Sequence, residues 1–463
     1  MGHCLTDILG ARHQRTVAND YTARFESRHY QLDKPTYPGQ RGGSIACRHR
    51  WRFGLVGMAA PRYTFAGAPG PARRHGGHRM GADGEPRVVL VHDWLTGMRG
   101  GEKCLEVLCR RWPDAPLFTL LHRPGSVSPA IEARGPRTSF LQYLPGVERY
   151  YRYLLPLMPA AVESWRLPRC ELVVSLSHCA AKAVRPPRGV PHVCYCFTPM
   201  RYAWHMRESY LAGRFGGPAA RAVEKLLTLL RDWDRRSAGR VSHFVAISRT
   251  VQQRIAECYG RPSTVIYPPV DTDFYHPAPL GREDYYLAVS AFAPYKRLDL
   301  AVRACEKLGR LLVVIGSGQD EARLRALAGP GVRFLGWQPD LVIREHMQRC
   351  RALLFPGEED FGIVPVEAMA CGAPVIAYGV GGACETVVPP GGRREPTGVW
   401  FEEQTVDGLA DAMLRLEATA GDFAPAAARR QAQRFNGRRF AEEIFAYLQG
   451  VLRPAAVPVR RAA

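Results

Sequence analysis

The stretch DYYLAVSAFAPYKRLDLAVRACEKLGRLLVVIG, residues 284–316, decides the fold. It opens on an apolar run, turns at a proline, continues as an amphipathic helix pattern over KRLDLAVRACEKLG and closes on a second apolar run. Strand, helix and strand in that order require a right-handed crossover, which lays the two strands parallel in one sheet. Both runs are continuous rather than alternating, as in strands covered on both faces. The rhythm continues through helix QDEARLRALA, strand VRFLG, a helix near 340–350 and strand ALLFP. A similar series lies upstream, with strand candidates RVVLVHD, APLFTLL, ELVVSL, HVCYCF and HFVAIS and an amphipathic helix in GMRGGEKCLEVLCRRW. Two series imply two doubly wound domains, joined near VIYPPVDTDFYHP, where the paired prolines stiffen a hinge.

Length and composition agree with this division. A chain of 463 residues suffices for two core-bearing domains, and 46% hydrophobic against 23% charged residues is ordinary for a packed soluble protein. No apolar run approaches the roughly 20 residues that span a bilayer, and the first thirty residues lack the apolar segment of a signal peptide. The 13 cysteines are scattered without a CxxC framework, as expected of reduced cytoplasmic thiols. The formal charge of +20 fits nucleic acid, an anionic membrane or phosphorylated ligands. It equally fits arginine used in place of lysine, together with a basic extension. Residues 1–85, which end in APGPARRHGGHRMGADGEP, have no sustained periodicity and read as a disordered basic extension. The expected divisions are then 86–270, 271–435, and a C-terminal helix at 436–463 that packs back on the first domain before a tail.

Ligands of open α/β sheets bind at the carboxyl ends of the strands, so the cleft between two such domains is the default site. FPGEEDFGIVPVEAMACGAPVIAYGVGG, residues 355–382, follows a strand and sets Glu359 and Glu367 on either side of a short helix start. Pro365 suits a first helical turn and Gly372 a left-handed C-cap. The N–H groups of Phe361, Gly362 and Ile363 then face the cleft, where a helix start favours anions. Gly100 and Gly101 in RGGEK form a second glycine turn at a helix start.

The Glu-x7-Glu pattern within EEDFGIVPVEAMACGAPVIA resembles the nucleotide-sugar signature of retaining GT-B glycosyltransferases of family 4, over roughly residues 87–455. That resemblance implies two Rossmann-like domains facing a cleft and a nucleotide-sugar donor, with no cofactor and no metal. It assigns Glu359 to sugar hydroxyls, Glu367 to the ribose, and the amides of Phe361, Gly362 and Ile363 to sugar and diphosphate. Lys296 in APYKR would neutralise the departing diphosphate, and Gly100 and Gly101 would approach phosphate or acceptor. His178 would stand near the transferred sugar. Family members carry an arginine where this chain has Ala291, which leaves Arg297 or a residue of the other domain to complete the cationic clamp. Asp93, Arg201 and Tyr202, from HDWL and CYCFTPMRYAW, are expected acceptor contacts. The stretches VHDWLTGMRGGEK, TSFLQYLPGVERYYRYLLPLMP and CYCFTPMRYAW look most like bacterial mannosyltransferases using GDP-mannose, with the base near RFLGWQPD. The implied acceptor is a lipid-linked glycan or oligosaccharide at the inner face of the cytoplasmic membrane, in lipopolysaccharide or exopolysaccharide synthesis. Arg149 and Arg152, interleaved with Tyr and Leu in RYYRYLLPLMPAAVESWRL, suit peripheral contact with an anionic surface.

Other readings stay open. A UDP-sugar donor or a sugar-nucleotide epimerase fits the same fold. Gly316-Ser317-Gly318 is half of a dinucleotide fingerprint, but Glu321 stands where the third glycine belongs. The Asp271-Thr272-Asp273 motif resembles a metal-binding Asp-x-Asp, yet it sits in the hinge and reads as a loop cap. No RNA- or DNA-binding module accompanies the arginines, so no nucleic-acid partner is expected.

Overall fold

The computed structural model describes residues 86–204, 217–279 and 281–453. The expected basic extension, 1–85, and the tail beyond 453 lie outside the described residues. The first domain is built on strands β1 (Val88–His92), β2 (Leu117–Thr119), β3 (Arg137–Thr138), β4 (Leu172–Ser177), β5 (His192–Cys196), β6 (His243–Ala246) and β7 (Ser263–Val265), all parallel, in the order β3-β2-β1-β4-β5-β6-β7. The second holds β8 (Tyr286–Val289), β9 (Leu312–Ile315), β10 (Val332–Gly336), β11 (Ala352–Phe355), β12 (Val375–Tyr378) and β13 (Gly398–Phe401), in the order β10-β9-β8-β11-β12-β13. Its pairs are also all parallel. The strand order therefore reverses between β1 and β4 and again between β8 and β11. At such a switch point the flanking loops part and leave a crevice.

The continuous apolar runs are explained by burial on both faces. Val88 and Leu90 of β1 pack with Leu105 and Leu108 of the helix Gly100–Arg111. Their neighbours Val89 and Val91 enter a separate cluster with Trp94 and Val173. Successive side chains point to opposite faces, so an apolar residue is needed at every position, each contributing roughly 1.5–3 kcal/mol relative to exposure. In the deciding stretch, Leu298, Leu300, Ala301, Val302, Ala304 and Cys305 bury one face of the helix Leu298–Leu308. Gly309 ends that helix at φ 63°, donating its N–H to the Cys305 and Glu306 carbonyls.

Sequence periodicity missed β3, β7, β12 and β13. β12 follows the helix Ile363–Ala370 after only a few residues, so helix and strand merge into one apolar run. The helix Gly437–Leu452 crosses to the first domain, where Phe440 packs on Tyr195 and Phe445 on Trp112. A backbone bridge between Val270 and Asn436 ties this returning segment to the hinge. No helix among the described residues is long and apolar enough to cross a membrane.

Candidate functional site

The carboxyl ends of β8 and β11 shape the second-domain side of the crevice. After β8 the chain makes a 3-10 turn, Pro294–Lys296, and Arg297 then takes a left-handed conformation at φ 51°. It is the one non-glycine residue among those described with positive φ. A bulky residue adopts that conformation at a cost of about 1–3 kcal/mol, and here it aims Lys296 into a small cavity lined by Val289, Phe355, Gly357 and Glu359. Gly357 approaches closely, since an added Cβ there would meet the Lys296 backbone at 2.9 Å. Gly316 and Gly318 support the same loop from behind. A Cβ on either would strike the backbone of Ser290 or Phe292, which accounts for the partial dinucleotide fingerprint by packing.

Lys296 forms an ion pair with Glu359. Burial and the neighbouring Arg201 cation pull its ammonium pKa down to about 7, against the opposing pull of Asp360. An incoming diphosphate would hold Lys296 charged, so binding above pH 7 must take up a proton. The affinity for GDP or pyrophosphate is expected to be flat below pH 7 and to fall up to tenfold per pH unit above it. Titrations at pH 6, 7, 8 and 9 measure this, and a flat profile would remove Lys296 from the anion site.

The helix Ile363–Ala370 starts at Gly362, which has φ 84°, and Gly372 closes its C-terminal end at φ 83°. Its N-terminus meets that of Gly100–Arg111 from the other domain. The approach is so close that a Cβ on Gly100 would lie 2.3 Å from Ile363 Cδ1. Lys103, one turn into the first-domain helix, donates to Glu367 Oε1 at 3.2 Å. Burial raises the Glu367 pKa, opposed by Lys103. Two helix N-termini, two lysines and two glutamates therefore converge between the domains, and each signature glutamate is held by a lysine. Lys103 was not singled out from the sequence. Its signal was its place three residues after Gly100, on the same face of the helix start.

A second cross-domain cluster centres on Asp360. Arg201 and Arg254 of the first domain both pair with its carboxylate, and Arg254 reaches Glu358 at 2.5 Å. Ser248 Oγ donates to the Asp360 carbonyl at 2.5 Å. The start of the helix Arg249–Tyr259 grips Glu385 through the N–H groups of Arg249 and Thr250, and Tyr267 OH donates to the same carboxylate. Sequence reasoning named none of Ser248, Arg254, Asp360 or Glu385. Only folding brings them together.

The structure places the remaining expected site residues as follows. His178 follows β4 and donates from Nδ1 to Asp93 Oδ2 at 3.0 Å, its ring edge-on to Trp94. Asp93 corrects the expectation of an acceptor contact. It is fully buried, and its carboxylate accepts the N–H groups of His178, Cys179, Ala180 and Ala181 at 2.6–2.9 Å. Such a carboxylate has no lone pair left for a ligand. Arg201 is turned to Asp360, across the cleft from its own domain. Arg297 is engaged by Asp299 and by Gln404. Tyr202 is partly buried against the first-domain core. Phe361 is buried, tilted against Tyr267 and edge-on to Phe435, so its side chain is core while its backbone borders the site. Gly101 sits under Phe197 and His92, where a Cβ would be tight at 3.2 Å. Asp271 caps its turn by accepting the Phe274 N–H at 2.9 Å.

This arrangement can hold a diphosphate between two helix starts and a polyhydroxylated group beside Glu359. Residues 272–434 match the family of glycosyl transferases group 1, and residues 179–274 match Glycosyltransferase Family 4. The chain thus carries glycosyltransferase domains of these two families, and its two parallel-sheet domains have the GT-B fold. It is 30% identical over 201 residues to a GDP-mannose-dependent alpha-(1-6)-phosphatidylinositol monomannoside mannosyltransferase of Mycobacterium tuberculosis, covering 37% of this chain and 51% of the relative. It is 29% identical over 214 residues to a D-inositol 3-phosphate glycosyltransferase of Mycobacterium avium, covering 41% and 49%. The chain thus spans about half the length of the curated relatives it matches. Among solved structures, Anabaena HepE in complex with UDP superposes with a TM-score of 0.57 at 18% identity, covering 79% of this chain and 100% of HepE. At that identity the likeness speaks for the fold alone.

Proposed function

We propose that the protein is a retaining glycosyltransferase that moves mannose from GDP-mannose to a lipid-linked or oligosaccharide acceptor. The observation that carries this reading is the pairing of Lys296 with Glu359 and Lys103 with Glu367 between two facing helix N-termini. The lysines neutralise the glutamates. A donor diphosphate exchanges for the carboxylates, taking the lysines and helix dipoles and freeing Glu359 for sugar hydroxyls and Glu367 for the ribose. The bond from the anomeric carbon to the diphosphate oxygen then breaks, with Lys296 and the amides of residues 361–363 stabilising the developing charge. The acceptor oxygen bonds the same carbon from the same face, and its proton passes to the departing phosphate oxygen. A double displacement would need a carboxylate nucleophile under the anomeric carbon, and the one nearest the cavity, Glu359, is committed to sugar hydroxyls.

The donor named for the Mycobacterium tuberculosis relative supports GDP-mannose, and Trp337, exposed in the loop after β10, offers a ring on which a base can stack. Titrating the purified protein with GDP and UDP tests the base, with GDP expected to bind at least tenfold more tightly. Nuclear magnetic resonance of the product made from GDP-mannose tests the linkage, which should be α. Preference for UDP would replace the donor assignment and leave the family intact. We place the work of the enzyme at the inner face of the cytoplasmic membrane. Tyr143, Tyr153 and Leu157 are exposed beside Arg149 and Arg152, which supports contact with an anionic surface.

A further inference from the structure

The second domain carries a cavity of about 290 Å³ that the donor cleft does not use. It lies between the helix Pro425–Gln433 and the segment before β13, and is lined by Arg393, Arg394, Glu395, Arg430, Gln431 and Arg434. The helix Pro425–Gln433 packs on the helix Ile363–Ala370. No hydrogen bond or ion pair among the described residues links the cavity's side chains to Lys103, Lys296, Glu359 or Glu367.

Its charge is unbalanced. Glu395 is paired with Arg430, which leaves three guanidinium groups without a carboxylate. Arg393 has no hydrogen-bond or ion-pair partner among the described residues. Arg394 and Arg434 both donate to the same atom, Gln431 Oε1, at 3.4 and 3.2 Å. That oxygen is neutral and cannot offset two cations. Nor is it free to turn away, since Gln431 is buried and its Nε2 donates to the Thr386 carbonyl at 2.8 Å. Two like charges brought together on a fixed neutral oxygen repel unless an anion joins them. Guanidinium forks match the paired oxygens of phosphate better than they match a point charge, which selects the ligand type.

We propose that this cavity is a second anion site, binding a phosphomonoester group through Arg394 and Arg434 with Arg393 closing over it. The cavity is larger than inorganic phosphate, so the phosphoryl group is carried on a bigger body, either a free metabolite or the headgroup of an anionic lipid. Gln431 fixes the spacing of the two forks and does not itself ligate the anion.

Calorimetric titration with glycerol 1-phosphate, in the presence of saturating GDP, reads this site apart from the donor cleft. R394A/R434A is expected to weaken glycerol 1-phosphate binding at least tenfold while leaving GDP affinity unchanged. All four arginines are exposed, so the variant should fold, and circular dichroism checks it. R394K/R434K keeps the charge without the forks and should recover less than half of the lost affinity. Sedimentation with phosphatidic acid vesicles against phosphatidylcholine vesicles separates the sources. Loss of phosphatidic acid binding in R394A/R434A assigns a lipid headgroup, and loss of glycerol 1-phosphate binding alone assigns a free phosphomonoester. Wild-type affinity in R394A/R434A for both probes would overturn the proposal, as would full recovery by lysine. A failure of GDP to bind anywhere would strike the donor reading and leave this titration interpretable without GDP.

Discussion

Glu359→Ala is expected to lower turnover by about two to three orders of magnitude, the usual effect of removing one group that meets the reacting centre. GDP affinity should not fall with it. Glu359 pairs with Lys296, so the diphosphate competes with a carboxylate for the ammonium. Removing that carboxylate leaves Lys296 free, and GDP binding should be unchanged or tighter. Glu367→Ala should behave in the opposite sense. A charge-assisted hydrogen bond to a ribose hydroxyl contributes roughly 1.5–3 kcal/mol, so its loss weakens GDP binding about 10- to 100-fold. Turnover at saturating donor should change by less than tenfold. Steady-state kinetics with a GDP titration on both variants separates the two roles. Small and equal effects would remove both glutamates from the site.

Much of this site is legible in the sequence because local rules wrote it. Glu359, Gly362, Pro365, Glu367 and Gly372 fall within one strand–loop–helix unit, and each is readable from cap, turn and helix-start chemistry. Lys296 follows a strand that its apolar run announces. The partners that complete the site come from far along the chain. Lys103 meets Glu367 across 264 residues and Arg201 meets Asp360 across 159. No spacing rule connects residues so far apart, and only the facing of two switch points brings them together. The missed strands have the same origin. β3 has two residues and β7 three, so their pairing is decided by the sheet they join rather than by a pattern of their own. Asp93 shows the reverse error. A polar residue at the end of a buried strand reads as a ligand contact, and the sequence cannot reveal that four consecutive amides have already taken its oxygens.

Asp93→Asn is expected to lower both stability and turnover, and pH separates its two roles. The carboxylate fastens the 178–181 loop to β1 by four amide bonds and turns the His178 ring through Nδ1. An asparagine keeps one acceptor oxygen and presents an NH2 group where two backbone donors point. Each buried donor left without an acceptor costs roughly 1–3 kcal/mol, so two or three of them cost about 3–6 kcal/mol. A loss of that size should lower the Tm by roughly 10 °C. Burial alone would raise the Asp93 pKa, but the His178 ring and the backbone amides hold it well below the usual carboxylate value of 3.8. With the folded pKa depressed, the stabilisation is present in full above about pH 4 and is lost as pH falls below it. The wild-type Tm should therefore drop between pH 4 and pH 2 more steeply than the Tm of Asp93→Asn, which has no carboxylate to protonate there. His178→Ala is the control. It leaves the four amide bonds in place, so it should lose turnover with a Tm within a few degrees of wild type. If Asp93→Asn matched wild type in Tm across that range, the carboxylate would not be the fastening of the loop. If it lost stability and kept full turnover, the His178 ring would take its working orientation from Trp94 alone.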